Sequence, residues 1–236
     1  ALEGFGSKYG MRAEPGAIRH LTLDEKGEFH LDVIGGGEPV GICGTGIFDL
    51  VAQCYLWGWI RGDGTVDFDR AGENAIQVWE EKALRSEPAI VYYRQGEKNL
   101  YFTQADIQEF VRCKAAAHTM VATLLDYCGL SLEDIGNVYL AGGFGTHIDL
   151  ESAITVGIYP DIDRNKLKIL GNTSLAGAKK LLLDAGCIDR VRFFLETGEY
   201  LHFAEMVMFL ENMMAANFIP HTNAALYPSV KRKILG

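Results

Sequence analysis

Two glycine-rich strings and one lysine carry the residue types that could do chemistry in this sequence. The string Gly41-Ile42-Cys43-Gly44-Thr45-Gly46 precedes an apolar run that reaches Trp59 and reads as a helix. Amides that open a helix attract anions, and glycine lets a phosphate approach the backbone. Gly44, Thr45 and Gly46 are therefore candidates for phosphate contact. The string lacks the Gly-Lys-Ser/Thr ending of a P-loop, which excludes that family. In the second string, Val138 to Ala141 reads as a short buried strand that ends in Gly142, Gly143, Phe144 and Gly145. Ligands of α/β sheets lie at the carboxyl ends of strands, where glycines leave room for them. The dinucleotide spacing Gly-x-Gly-x-x-Gly is absent here, and a tight turn needing positive φ is the alternative reading of the same residues.

Lys114 is the most informative single residue. Ile107, Phe110, Lys114, Ala117, Val121, Leu124 and Cys128 follow one another at steps of three and four, so they form one helical stripe with Lys114 inside it. A lysine there either extends its ammonium outward or meets an anion. His118, one turn on, is expected to be a packed, hydrogen-bonded histidine. Cys43 has no basic partner near it in sequence and reads as a structural thiol. Asp149 and Glu151 are expected to cap a helix rather than bind metal. Asp161, Asp163 and Arg164 read as a solvated loop.

The elements that must position these residues follow from turn chemistry and periodicity. Ala17–Leu23 and Phe29–Ile34 predict a hairpin across Asp24-Glu25-Lys26-Gly27. Residues 61–86 predict irregular structure. Ala89–Arg94 and Asn99–Phe102 predict a second hairpin around Gln95-Gly96-Glu97-Lys98. Thr103, with Asp106 three residues on, predicts a capping box for a helix that runs to about Tyr127. Helices are expected near 150–156, 173–185 and 200–216, and a strand over 190–195. The fold class is α/β or α+β.

Composition narrows the functional classes. The chain has 236 residues, 48% of them apolar and 22% charged, enough for a real core. A net charge of −9 argues against nucleic acid as partner, because a binder must neutralise phosphates. The basic run Lys231-Arg232-Lys233 reads as a solvated tail. The five cysteines are widely spaced, with no Cys-x-x-Cys pair, which argues against a disulfide scaffold or a metal site in this segment. They read as reduced thiols of a cytoplasmic protein. Charged residues break the most apolar stretch, 201–219, so no membrane span is expected. The chain opens on Ala1 within a glycine-rich stretch, which suggests a truncation.

The order of these features resembles the actin, heat-shock chaperone and sugar-kinase (ASKHA) superfamily: a helix with an inward lysine, a strand ending in Gly-Gly, then Gly171 to Ala178 opening a helix. It is closest to the reductive activators of corrinoid proteins. Tyr9-Gly10-Met11-Arg12-Ala13-Glu14-Pro15-Gly16-Ala17-Ile18, Gly41 to Gly46, Thr103 to Ile107, Val138 to Gly145 and Thr197-Gly198-Glu199-Tyr200 carry the likeness over nearly the whole chain. The resemblance implies an actin-like, ribonuclease H-like ATPase lobe. Residues 1–236 would form its C-terminal part, with an inserted α+β subdomain over about 60–130. It also implies ATP and Mg2+, with Gly142, Gly143, Phe144 and Gly145 against the adenosine and Lys114 on the ribose or a phosphate. Gly44, Thr45 and Gly46 would lie near the phosphates.

The iron–sulfur cluster, the first lobe and the aspartates for magnesium and water would lie upstream, so this segment would lack a complete catalytic site. The partner implied is a corrinoid protein whose cobalt goes from Co(II) to Co(I), with a homodimer expected. A small-molecule kinase of the same superfamily and a non-catalytic docking or dimerisation module are the alternatives.

Overall fold

The computed structural model describes residues 6–80, 84–96 and 98–235. The first hairpin forms as its turn residues dictate. Strand β1 (Ala17–Leu23) runs antiparallel to β2 (Phe29–Val33). The Asp24 carboxylate accepts the N–H groups of Lys26 and Glu28 at 2.9 and 3.0 Å, and Gly27 takes the positive φ of 79° that closes the turn. On its other edge β1 pairs in parallel with the two-residue β3 (Gly41–Ile42). Helix α1 (Gly44–Leu56) then crosses the back of this sheet. A Cβ on Gly46 would stand 2.5 Å from the Ile18 carbonyl oxygen, so glycine here is what lets helix and strand meet.

The next stretch corrects one expectation. After the short helix α2 (Phe68–Ala71), residues Ala75–Glu80 form a strand, β4, in place of irregular structure. Ile76 and Val78 are half-buried while Gln77 and Trp79 are exposed, the alternation of a strand, and the partner strand supplies the hydrogen bonds. Strand β5 (Arg85–Gln95) pairs antiparallel with both β4 and β6 (Lys98–Thr103), giving the sheet order β4-β5-β6. The turn expected between β5 and β6 includes Glu97, which lies outside the described residues. Helix α3 (Gln104–Cys128) opens on the anticipated capping box. The Thr103 side chain accepts the Asp106 N–H, and Asp106 accepts the Thr103 N–H at 3.0 Å.

The stripe on α3 holds only over its first half. Ile107, Phe110 and Lys114 are buried, but Val121, Leu124 and Cys128 are exposed while Thr119 and Thr123 are buried. The buried face there is set by what packs on it, helix α8 (Phe209–Ala216), where the Thr119 hydroxyl reaches the Met213 sulfur at 3.7 Å.

Strand β7 (Val138–Ala141) forms where expected but is not buried throughout: Leu140 is buried while Tyr139 and Ala141 are exposed, and Gly142 takes φ 88°. The following glycines do not make a loop, because Gly142–His147 is itself a short helix, α4. Helix α5 (Leu150–Val156) leads back to β8 (Leu167–Gly171), which lies parallel to β7 and had no counterpart in the expected elements. Helix α6 (Thr173–Leu183) follows.

Residues 190–195, expected as a strand, belong to helix α7 (Cys187–Thr197), since Ile188, Val191 and Leu195 recur at helical steps. The expected 200–216 helix is shorter, a 3-10 turn at Phe203–Glu205 followed by α8. The basic run near the end lies in helix α9 (Pro228–Leu235) and not in a free tail, with Lys233 paired to Glu151 at 2.7 Å.

One core joins most of these elements. Ile18 of β1, Phe48 and Val51 of α1, Ile90, Leu100 and Phe102 of the β4-β5-β6 sheet, Ile107 and Phe110 of α3 and Ala153 of α5 belong to one buried cluster. Segment 60–130 therefore has its own sheet yet shares the core of the rest. A smaller cluster, Ile154, Leu167, Tyr227 and Val230, ties α9 to β8. Helices α6 and α7 stand apart: α6 buries no residue and α7 only Cys187, leaving Leu182, Leu183 and Leu195 about 80% exposed or more.

Candidate functional site

The two glycine strings, a hundred residues apart in sequence, meet in one cleft. Its volume is about 540 Å³, and its lining includes Cys43, Gly44 and Thr45 from the start of α1 and Gly143, Phe144 and His147 from α4. Helix α1 opens on Cys43, which offers no side-chain cap, so its first amides find no acceptor within the helix. The Thr45 hydroxyl is already committed, donating to the Arg19 carbonyl at 2.7 Å where β1 slips its register against β2. Gly143 faces open space, with no atom within 4 Å of where a Cβ would sit. Phe144 serves two surfaces, lining the cleft and packing its ring 5.3 Å from Phe48. Gly46, Gly142 and Gly145 do not line the cleft. Gly46 is the packing glycine of α1, and Gly145 backs onto Leu140.

The remaining wall is basic and was not singled out in sequence. Arg12, Arg19 and His20 line it together with His147. Arg19 pairs with Asp32 at 2.8 Å. The His20 Nδ1 lies 2.8 Å from Asp49 Oδ2 on α1, and the same oxygen accepts the Leu21 N–H at 3.3 Å. The Asp49 side chain is only 5% exposed, against 37% for His20. Burial pushes the Asp49 carboxyl up, and the His20 ring and the Leu21 N–H on Oδ2 oppose it. The two residues are far apart in sequence, and only the packing of α1 on β1 brings them together.

Lys114 is placed elsewhere. It is fully buried, is not among the residues lining the cleft, and donates to the carbonyls of Phe218 and, at 2.6 Å, Pro220. Neither expected outcome holds: the ammonium turns inward and meets neutral backbone carbonyls of the 218–220 segment, with no anion against it. Burial lowers its ammonium to about 7, while the two carbonyls favour the charged form.

His118 is held as expected, with its Nδ1 3.2 Å from the Tyr227 hydroxyl. Burial, then the charges of His221 and Lys114, lower it from 6.5 to about 4. A folded value below the unfolded one means that stability is lost as pH falls through that window. Urea denaturation at pH 7 and pH 5 should show a loss of roughly 2 kcal/mol from this residue, absent in His118→Gln. An equal loss in the variant would remove His118 as its source.

The acidic candidates are structural. Asp149 caps α5 by accepting the Ser152 N–H at 2.7 Å. The cluster expected to be a solvated loop is instead a tie between elements. Arg164 pairs with Glu151 at 2.7 Å and Asp161 at 2.6 Å, and Asp161 accepts the Ser229 N–H of α9 at 2.7 Å. Among the described residues no group of three or more His, Cys, Asp or Glu side chains is placed to hold a metal ion. The cysteines are all free thiols, and among the described residues no helix is long and apolar enough to cross a membrane.

A mixed α/β lobe with glycine turns converging on a cleft is the actin-like, ASKHA class of domain. Residues 1–231 match the family described as the C-terminal domain of RACo, the ASKHA domain, and the chain belongs to that family. It is similar to a solved structure titled reductive activator for corrinoid, iron-sulfur protein, with TM-score 0.85 and 38% identity over 96% of this chain and 36% of that one. Two curated relatives are the corrinoid activation enzyme RamQ of Eubacterium limosum, 30% identical over 91% of this chain, and a [Co(II) methylated amine-specific corrinoid protein] reductase of Methanosarcina barkeri, 28% identical over 81%. The chain spans 38% and 35% of the lengths of these two relatives.

Proposed function

We propose that this chain is the nucleotide-binding part of an ATP-dependent reductive activator, which helps bring the cobalt of a corrinoid protein from Co(II) to Co(I). The observation that carries the reading is the convergence of Gly44 and Thr45 with Gly143 and Phe144 on one cleft. Open amides at the start of α1 suit phosphate oxygens, and the bare backbone at Gly143 beside the Phe144 ring suits the nucleoside. Lys114 has no contact with the nucleotide in this reading and anchors the 218–220 segment instead. No carboxylate lines the cleft among the described residues, so a magnesium ion travelling with the phosphates takes its protein ligands from elsewhere in a longer protein. The electron donor proposed is an iron–sulfur module of that longer protein. Nucleotide contributes by binding two states of the complex unequally, the one way a ligand can shift an equilibrium.

Calorimetry with magnesium ATP and ADP tests the site. Gly143→Val adds a side chain where nothing now stands, so it should leave the melting temperature unchanged and weaken nucleotide at least tenfold. Unchanged affinity in a folded variant would move the site away from α4. Corrinoid reduction by the longer protein, measured with and without ATP, tests the activity itself.

A further inference from the structure

Beyond the glycine strings, the cleft contains a paired histidine and carboxylate that the nucleotide reading does not use. His20 stands on β1 with its Nδ1 2.8 Å from Oδ2 of Asp49, a residue of α1 whose side chain is 5% exposed. The Asp49 oxygen is itself fixed by the Leu21 N–H at 3.3 Å, so the imidazole is oriented from a rigid support. A carboxylate on Nδ1 holds the hydrogen on that nitrogen and leaves Nε2 as the group offered outward, a donor to an anion when the ring carries both protons. Among the described residues Nε2 has no hydrogen-bond partner, and the His20 ring lines the cleft. Other charged groups stand around it: Arg12 and His147 in the cleft wall, Arg19 on the same strand, and His30 and Asp32 across on β2. The cleft lining is thus cationic on the His20 side and contains no carboxylate among the described residues.

We propose that His20 contacts an anionic phosphate oxygen of the bound nucleotide through Nε2, and that Asp49 is the positioning residue that orients it. The inference rests on the nucleotide reading and adds to it a residue that contacts the ligand. It explains why a carboxylate is buried beneath the floor of an anion-binding cleft. The carboxylate does not meet the ligand but holds the ring that faces it.

The test uses magnesium ATP as the probe, with calorimetry and long-range 1H–15N spectra of the histidine rings. In the wild-type chain, ATP should shift the His20 ring resonances, Nε2 more than Nδ1. His20→Ala should weaken ATP about tenfold, and His20→Gln, which keeps a donor, should recover part of that. Asp49→Asn should change the His20 tautomer and weaken ATP several-fold. Because Asp49 is buried and that variant can lose its fold, the wild-type spectra and the His20 variants stand independently of it. ATP binding with unmoved His20 resonances and unchanged His20→Ala affinity overturns this inference alone. A wild-type chain that binds no ATP removes the nucleotide reading and the inference with it.

Discussion

Replacing Gly157 with alanine should cost this fold ~3 kcal/mol or more, read as a lower midpoint in chemical denaturation. Gly157 ends helix α5 in the left-handed region, at φ 86°, which alone penalises a side chain. Space decides the rest. A Cβ there would lie 2.9 Å from both the carbonyl carbon and the Cα of Pro220, and closer still to its carbonyl oxygen. These are backbone atoms, so no rotamer change relieves the clash, and the 218–220 segment must move. That segment is held by Lys114, and the Gly157 carbonyl also takes the Tyr227 hydroxyl at 3.3 Å, so the displacement spreads. Gly177→Ala is the control: no atom lies within 4 Å of its Cβ position and it sits inside exposed helix α6, where alanine should be neutral or slightly stabilising. A Gly157→Ala loss no larger than 1 kcal/mol would show that the α5 end and Pro220 are not packed as described.

The second large effect concerns Lys114→Met. Methionine fills the same space without a donor, leaving the carbonyls of Phe218 and Pro220 without their partner, at ~1–2 kcal/mol each. The size of the loss depends on pH in a definite direction. The folded value of about 7 lies below the usual 10.5, so between these pH values the unfolded chain binds the proton more readily than the folded one. The cost of burying charge is therefore full below pH 7 and fades as pH rises toward 10.5. At pH 9 the wild-type amine is largely neutral yet still donates, so the variant should be less stable by about 2–4 kcal/mol. At pH 6 the gap should narrow. Denaturation curves at both values check this, and a gap that widens on acidification would mean that the ammonium is favoured in its buried site.

Much of the frame was legible because local chemistry sets it. Asp24 to Gly27 closes a hairpin, Thr103 with Asp106 starts a helix, and Val138 to Ala141 is an apolar strand; each expectation rests on neighbours in sequence and each element forms where expected. The misses share a different cause. Ala75–Glu80 becomes a strand because β5 lies beside it, and residues 190–195 are helical although a short apolar run reads either way. On α3 the buried face turns to Thr119 and Thr123 because α8 packs there, and no periodicity in α3 alone reports that.

The site divides along the same line. Gly44, Thr45, Gly143 and Phe144 were visible as strings that spare backbone for a ligand, and they do share a cleft. His20 and Asp49 gave no signal, since their pairing exists only once α1 lies on β1. The stripe on α3 marks Lys114 as unusual, but that it turns inward onto carbonyls and not onto a ligand depends on the 218–220 segment, more than a hundred residues away.

The bareness of α6 and α7 bears on how this chain holds together. Only Cys187 among their residues is buried, so residues 173–197 draw less from the hydrophobic term that secures β1, α1 and α3. Local opening of such a stretch costs a small part of the free energy needed to unfold the whole. In this chain taken alone, opening of residues 173–197 is therefore a smaller event than unfolding of the body that holds the cleft and its supports.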